Sequence, residues 1–222
     1  MTINKRIKTI IALAVLLVFL VLLCVSGTGR DLLNASYPQD SHIFLMVNGW
    51  HNAFFDPIML AASSKLFWIP FYLILVYVLY RSFGKKVWLT LLIIGLLIAS
   101  ADQVSSGIIK NHVQRLRPSH EVKLMPLIHL SKAGAGGMYG FASSHAANAF
   151  ALCIFLIMIL DKKYKTIKII VGVWAVLVSY SRIYNGVHYP SDVLVGAAIG
   201  ILLGAIFALL HTGLQNKWKN SL

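Results

Sequence analysis

The stretch VWLTLLIIGLLIASADQVSSGIIK (Val87–Lys110), followed directly by NHVQRLRP (Asn111–Pro118), decides how the rest of the chain is read. Up to Ile109 it is long enough to cross a hydrocarbon core, which takes about 20 mostly apolar residues. It then stops on a lysine, so the first charge falls where a membrane helix meets water. Working outward, the same design recurs in Ile7–Ser26, Leu66–Tyr80, His145–Leu160, Ile167–Ile183 and Ser191–Leu210. Composition agrees: 222 residues that are 58% hydrophobic, with a mean hydropathy of +0.76, are too apolar for an ordinary soluble domain. The expected fold is an all-α integral membrane protein, a six-transmembrane-helix bundle forming a single domain over residues 1–222.

The first apolar run follows Lys5, Arg6 and Lys8. It outlasts the apolar core of a cleaved signal peptide, and no small-x-small cleavage site follows it. It reads as a retained signal-anchor helix. Between it and the second span, Ser41–Leu60 places Ile43, Met46, Trp50, Phe54 and Ile58 at helical spacing, with Asn48, His51 and Asn52 elsewhere around the wheel. A helix in the outer interface and a buried connector both fit that pattern. Residues 1–65 are thus an anchor plus an interfacial segment. Cys24 and Cys153 fall inside spans and read as small packing residues rather than a disulfide pair.

Charge sets the orientation. Lys5, Arg6 and Lys8, then Arg81, Lys85 and Lys86, then Lys162, Lys163, Lys165 and Lys168, then Lys217 and Lys219 mark alternate helix ends. Cations gather on the cytoplasmic side, which places both termini inside. Lys110, Arg117 and Arg182 lie at the opposite ends, so a site built from them faces the extracytoplasmic side. The net charge of +13 is scattered over these loops rather than gathered into a stripe with interleaved aromatics. It suits anionic head groups and not nucleic acid.

The polar residues at those opposite ends are the ones a phosphate ester needs. Non-bridging phosphate oxygens must be held through the transition state by converging cations and N–H donors. An Arg fork meets two such oxygens, and Lys acts as a point charge. Any one of Lys110, Arg117 and Arg182 could be a snorkelling side chain; three on one side, beside two histidines, favour function. Ser143, Ser144 and His145 open the fourth span, where the first turn of a helix offers unpaired N–H groups to an anion, although Ser143 also suits an ordinary N-cap. His145 could protonate a departing oxygen. Pro190 suits the start of the last span, which leaves His188 in the preceding turn and Asp192 able to hold one of its imidazole nitrogens. The other nitrogen would be free to attack phosphorus. A metal site also fits a His-x-x-x-Asp pair, but the three cations would crowd a metal ion; no cofactor is expected.

Lys110-x6-Arg117-Pro118, Ser143-x-His145 and Ser181-Arg182-x5-His188-x3-Asp192 resemble the three signature motifs of the type 2 phosphatidic acid phosphatase superfamily, which includes bacterial membrane lipid phosphatases. The likeness covers roughly residues 66–210. It implies a metal-independent phosphatase with His188 as the nucleophile that forms a phosphohistidine, Asp192 as its orienter and His145 as the acid. Lys110, Arg117, Ser143, Ser144 and Arg182 would bind the phosphoryl group. One departure stands out: the middle motif reads Ala142-Ser143-Ser144-His145 where the family has Pro-Ser-Gly-His. Alanine gives up a rigid turn, and Ser144 adds a side chain where backbone approaches phosphate, leaving its amide usable only if positive φ is not required. Asp102, an acidic residue inside a span, is expected to bond neighbouring helices through Gln103, Ser105 or Ser106, with an inward extension of the polar site as the alternative.

The expected function is hydrolysis of a lipid-linked phosphate or diphosphate. Topology and family analogy put undecaprenyl diphosphate first, ahead of phosphatidylglycerol phosphate, phosphatidic acid and lipid A. A non-hydrolytic lipid-phosphate binder or transporter, a phosphotransferase and a metallohydrolase are the rival classes.

Overall fold

The computed structural model describes residues 2–132 and 134–219. Its helices, in chain order, are α1 (Ile3–Val25), α2 (Gly27–Asn48), α3 (Phe55–Ser63), α4 (Ile69–Phe83), α5 (Val87–Asp102), the short α6 (Asn111–Val113), α7 (Ser144–Ile159), α8 (Lys165–Tyr184) and α9 (Pro190–Lys219). A π-helical stretch, Gln103–Lys110, joins α5 to α6. Helices occupy all six runs singled out in the sequence, within a few residues except at the end of α9, which runs on to Lys219.

Among the described residues, four stretches are long and apolar enough to cross a membrane: Ile3–Val25, Ile69–Val113, Lys162–Tyr184 and Pro190–Asn216; Ser144–Ile159 is a shorter apolar helix. Ile69–Val113 is two helices rather than one rod. Gly84 ends α4 with φ at 56°, a conformation that costs glycine little, and α5 then folds back so that Tyr72 and Ile98 line one cavity. Around α1, Ile7, Ile11, Val15, Phe19 and Leu22 are exposed, as expected of a helix facing lipid, while its other side packs on α9.

The segment after α1 differs from expectation. A single helix over Ser41–Leu60 is replaced by α2, which begins at Gly27 and carries Pro38 inside it, and by α3, with a break at residues 49–54. Ser26 makes the early start possible: its N–H caps the end of α1, and its Oγ accepts from Gly29 N at 3.1 Å to cap α2. The inward stripe of α2 is Asp40, Phe44 and Asn48, one turn apart, so two of the three are polar. Asn48 is buried because it is fully used. Its Nδ2 donates to the carbonyls of His129 and Tyr184, both at 2.8 Å, and its Oδ1 accepts from His129 N at 2.7 Å. Asn48 thereby ties α2 to the end of α8 and to the long loop after α6.

The most extensive helix pair is α7 with α9. Gly196, Gly200 and Gly204 lie one turn apart on α9 and press against the α7 backbone. A Cβ at Gly196 would stand 2.3 Å from Ser143 O, one at Gly200 2.3 Å from Ala147 O, and one at Gly204 2.6 Å from Ala151 O. Small residues at this spacing allow the close approach that drives helix pairing in lipid. Ala147 and Ala151 supply the flat opposing surface, fully buried. Replacing Gly200 by Val should therefore force the helices apart, at a cost of about 1–3 kcal/mol. Thermal melting of the detergent-purified variant should show a lower Tm together with lost turnover; an unchanged Tm would mean that the crossing tolerates a side chain.

Candidate active site

The three motif segments meet at one end of the bundle. Between α6 and α7 the chain turns on Gln114, whose φ is 52°, and runs extended through Leu116, which bridges antiparallel to Tyr139. Arg117 N donates to Met138 O at 3.0 Å and Gly140 N to Arg115 O at 2.9 Å. This clip lays Gly140 against the site. A Cβ there would stand 2.8 Å from Asp192 Oδ2, 3.2 Å from Arg117 Cγ and 3.5 Å from His188 Nδ1, so the first and third motifs touch across it. The middle motif is fixed by Ser143 N, which donates to the main-chain oxygen of Asp192 at 2.9 Å.

His188 lies in the turn before α9, 1% exposed, and Asp192 in the first turn, fully buried. His188 Nδ1 stands 3.2 Å from Asp192 Oδ2, which also accepts from Tyr189 N at 3.0 Å. Burial first, then the charges of Arg117, Arg182 and Lys110, hold the His188 pKa well below that of an ordinary imidazole, against a hydrogen bond to the Gly140 backbone. The ring is therefore neutral, the form that carries a free nitrogen lone pair. Burial also lowers the Arg117 pKa, with Asp192 opposing, and Arg117 Nε donates to Tyr139 O at 3.0 Å.

Lys110 closes the π-helical stretch, with Nζ 3.4 Å from Ser106 Oγ. Arg182, in the last turn of α8, is buried; its Nη1 donates to Ser63 Oγ while Nε has no partner. Ser143 is the N-cap residue of α7, but its side chain makes no capping bond and its buried Oγ has no partner. Two buried groups thus lack a hydrogen bond where the sequence predicts phosphate binding. Ser144 opens α7 with helical backbone, so no positive φ is required of it and its amide stays available where the family carries glycine. His145 follows at the same end and feels the charges of Arg182, His188 and Arg117.

All eight residues singled out in the sequence therefore gather at this end. Others join them. Lys65 acts electrostatically on His145 and, with Asp102, Asn148 and His145, lines the polar end of a cavity of about 390 Å³. Its remaining walls are apolar, among them Leu75, Leu79, Ile94, Leu152 and Trp174. Of the two readings of Asp102 the structure favours the second: Ser105 Oγ donates to the Ala101 carbonyl, Ser106 Oγ accepts from Lys110, and Asp102 lines the cavity. Arg115 also went unnoticed. It pairs with Asp192 and Asp40, and its spacing two residues before Arg117 was the available signal, since residues i and i+2 of an extended segment share a face. No group of three His, Cys, Asp or Glu side chains among the described residues is arranged to hold a metal ion.

Comparison with known proteins adds the following. A family model described as PAP2 superfamily matches residues 86–215. Lipid A 4'-phosphatase of Bacteroides thetaiotaomicron is 40% identical over 170 residues, covering 76% of this chain and 75% of that protein. Lipid A 4'-phosphatase of Porphyromonas gingivalis is 30% identical over 184 residues, covering 81% and 75%. Among solved structures, the transmembrane PAP2 type phosphatidylglycerolphosphate phosphatase of Bacillus subtilis superposes with a TM-score of 0.61 over 94% of this chain and 96% of that one, at 24% identity.

The depressed His188 pKa makes a signed prediction. A buried imidazole favoured as the free base contributes stability above its unfolded pKa of about 6.5, and that contribution is lost as pH falls toward the folded value. Nitrogen NMR of histidine-labelled, phosphate-free protein should find His188 still neutral at pH 6, where an exposed histidine is mostly protonated. A resonance titrating near 6.5 would show that water reaches the ring.

Proposed function

Because the chain belongs to the PAP2 superfamily and is a membrane lipid phosphatase, we propose that it hydrolyses the phosphate monoester of a lipid A-type glycolipid through a phosphohistidine on His188. The observation that carries this reading is the buried His188–Asp192 pair, acted on by Lys110, Arg117 and Arg182, with His145 both coupled electrostatically to it and lining an apolar cavity. Asp192 holds Nδ1–H, which leaves the Nε2 lone pair for phosphorus. As the N–P bond forms and the ester P–O bond breaks, His145, which takes up a proton together with the bound phosphate dianion, gives that proton to the departing sugar oxygen. Water then attacks phosphorus, losing a proton to His145, the N–P bond breaks, and inorganic phosphate leaves neutral His188 behind.

Lys110, Arg117 and Arg182 offset the charge on the phosphoryl oxygens in both steps. The unpartnered Ser143 hydroxyl and Arg182 Nε, with the Ser144 amide, are its remaining donors. These roles suit a rigid end of the bundle, where donors stand ready before substrate arrives.

Substrate class rests on two supports. Two relatives that share three quarters of their length with this chain are lipid A 4'-phosphatases. The cavity beside His145 pairs apolar walls with a polar rim, as a lipid carrying a hydrophilic head group requires. Undecaprenyl diphosphate, first on topology and family analogy, stands second, since the same walls would take a prenyl chain.

The accompanying topology treats the chain as one catalytic unit with six crossings, α1, α4, α5, α7, α8 and α9, in the bacterial inner membrane. Both termini are cytoplasmic, the site lies on the extracytoplasmic side, and α2 and α3 lie along that surface.

A phosphate-release panel on detergent-purified protein tests this reading with lipid A, undecaprenyl diphosphate, phosphatidylglycerol phosphate and phosphatidic acid. Lipid A should give the highest kcat/KM, and His188→Ala should release no phosphate from any of the four while keeping the wild-type Tm. A preference for another lipid would overturn the substrate; turnover by His188→Ala would overturn the nucleophile.

A further inference from the structure

Asp192 presents only one oxygen to His188. The other, Oδ1, accepts from Arg115 Nη1 at 3.0 Å. Arg115 is itself nearly buried, its side chain 12% exposed, and every face of its guanidinium is occupied. Nη1 also donates to Ser191 Oγ at 2.7 Å, Nη2 donates to Asp40 Oδ2 at 2.6 Å, and the plane lies over the Tyr189 ring at 4.0 Å. Asp40, on α2, is committed as fully: its Oδ1 accepts from Ser191 N at 3.0 Å and its Oδ2 from Ser191 Oγ at 2.5 Å. The result is a buried relay of carboxylate, guanidinium, carboxylate and imidazole that runs from α2 through the residue 114–117 segment to α9.

This wiring distinguishes Arg115 from Arg117, whose terminal nitrogens lie beside Gly136 with only Nε committed to Tyr139. An arginine whose two terminal nitrogens are engaged by two carboxylates and whose face is covered by a ring is held for those carboxylates rather than for a phosphate. It can still decide where Asp192 points. A carboxylate with a single partner is free to turn about its χ angles; one held at both oxygens is not. A displaced Asp192 would leave the His188 ring, and therefore its attacking nitrogen, without a fixed direction.

We propose that Arg115, anchored by Asp40, is a positioning residue for the reaction: it locks the Asp192 carboxylate and, through it, the His188 imidazole in the orientation for attack on phosphorus. The inference rests on the nucleophile assignment made above. Its effect on pH behaviour follows from the surroundings of the pair, which are Arg115 and Arg117 from the extended segment, Lys110 from the end of α5, Arg182 from α8, His145 from α7, Tyr189 beside His188, and Asp40 from α2 behind Arg115. Of these, Arg115 alone bonds Oδ1 of Asp192, so its loss removes the one ion pair made to that oxygen and the positive charge nearest the carboxylate.

The test uses full-length detergent-purified protein with whichever lipid the panel selects. Arg115→Gln should lower kcat by about 10- to 100-fold, the scale of a small misplacement of reacting groups, with KM changed less than about twofold. Its loss of turnover on acidification should begin at a higher pH than in the parent enzyme. Arg115→Lys, which restores the charge but not the fork, should recover the parent pH profile and only part of kcat. Asp40→Asn should lower kcat in the same sense without altering phosphate inhibition, and together with Arg115→Lys it carries the test if Arg115→Gln does not fold. An unchanged pH profile in Arg115→Gln, or a loss residing in KM and in inhibition by inorganic phosphate, would overturn the proposal. The two readings separate cleanly: turnover by His188→Ala sinks the nucleophile, whereas an inactive His188→Ala beside a parent-like Arg115→Gln sinks only the relay.

Discussion

Contact between the backbones of α7 and α9 is the constraint from which the rest of the site follows. The glycines at 196, 200 and 204 allow an approach that any side chain would block, since a Cβ at these positions would stand only 2.3 to 2.6 Å from an α7 carbonyl. That approach puts the N-cap residue Ser143 within a hydrogen bond of the Asp192 main chain. The turn carrying His188 and the helix start carrying Ser144 and His145 are then held by two rigid elements rather than by a loop. In lipid there is no hydrophobic gain from pairing two apolar helices, so van der Waals contact along this flat seam must hold them. The same contact that stabilises the bundle also aims its chemistry.

Electrostatics then works against the empty site. Lys110, Arg117 and Arg182 act together on His188, while the nearby Asp192 is already shared between His188, Tyr189 N and Arg115. Ser143 Oγ and Arg182 Nε are buried with no partner. Each is a cost to stability, since a buried polar group left unpaired loses about 1–3 kcal/mol. The proposed phosphoryl group would bring the charge and the lone pairs that these groups lack.

What could be read in the sequence is what depends on neighbours along the chain. Lys110 at the end of an apolar run, Ser143 ahead of a helix, and His188 and Asp192 on either side of Pro190 each have local causes, and the helices form where those causes place them. Arg115 and Asp40 were not legible in the same way, because their roles exist only through contacts 75 to 77 residues away. The α2 helix was hidden for a related reason. A segment with Pro38 and little apolar periodicity shows no helix signal, and its inward stripe of Asp40, Phe44 and Asn48 is mostly polar because its partners are polar. Asn48, read from its spacing as off the apolar face, is instead buried and bonded to two distant carbonyls. The glycine seam on α9 was visible as a spacing of four, but only the opposing Ala147 and Ala151 give that spacing a meaning.

The rim of the cavity bears on which head group fits the proposed site. It carries one cation, Lys65, and one anion, Asp102, beside the amide of Asn148. One charge of each sign makes the rim nearly neutral, whereas a second phosphate on the substrate would call for more positive charge and would be repelled by Asp102 at close range. A carboxylate, an amide and an ammonium group are, by contrast, the donors and acceptors that hydroxyl-rich groups bond well. Such a rim is in keeping with the sugar phosphate proposed above, whose hydroxyls could bond Asp102.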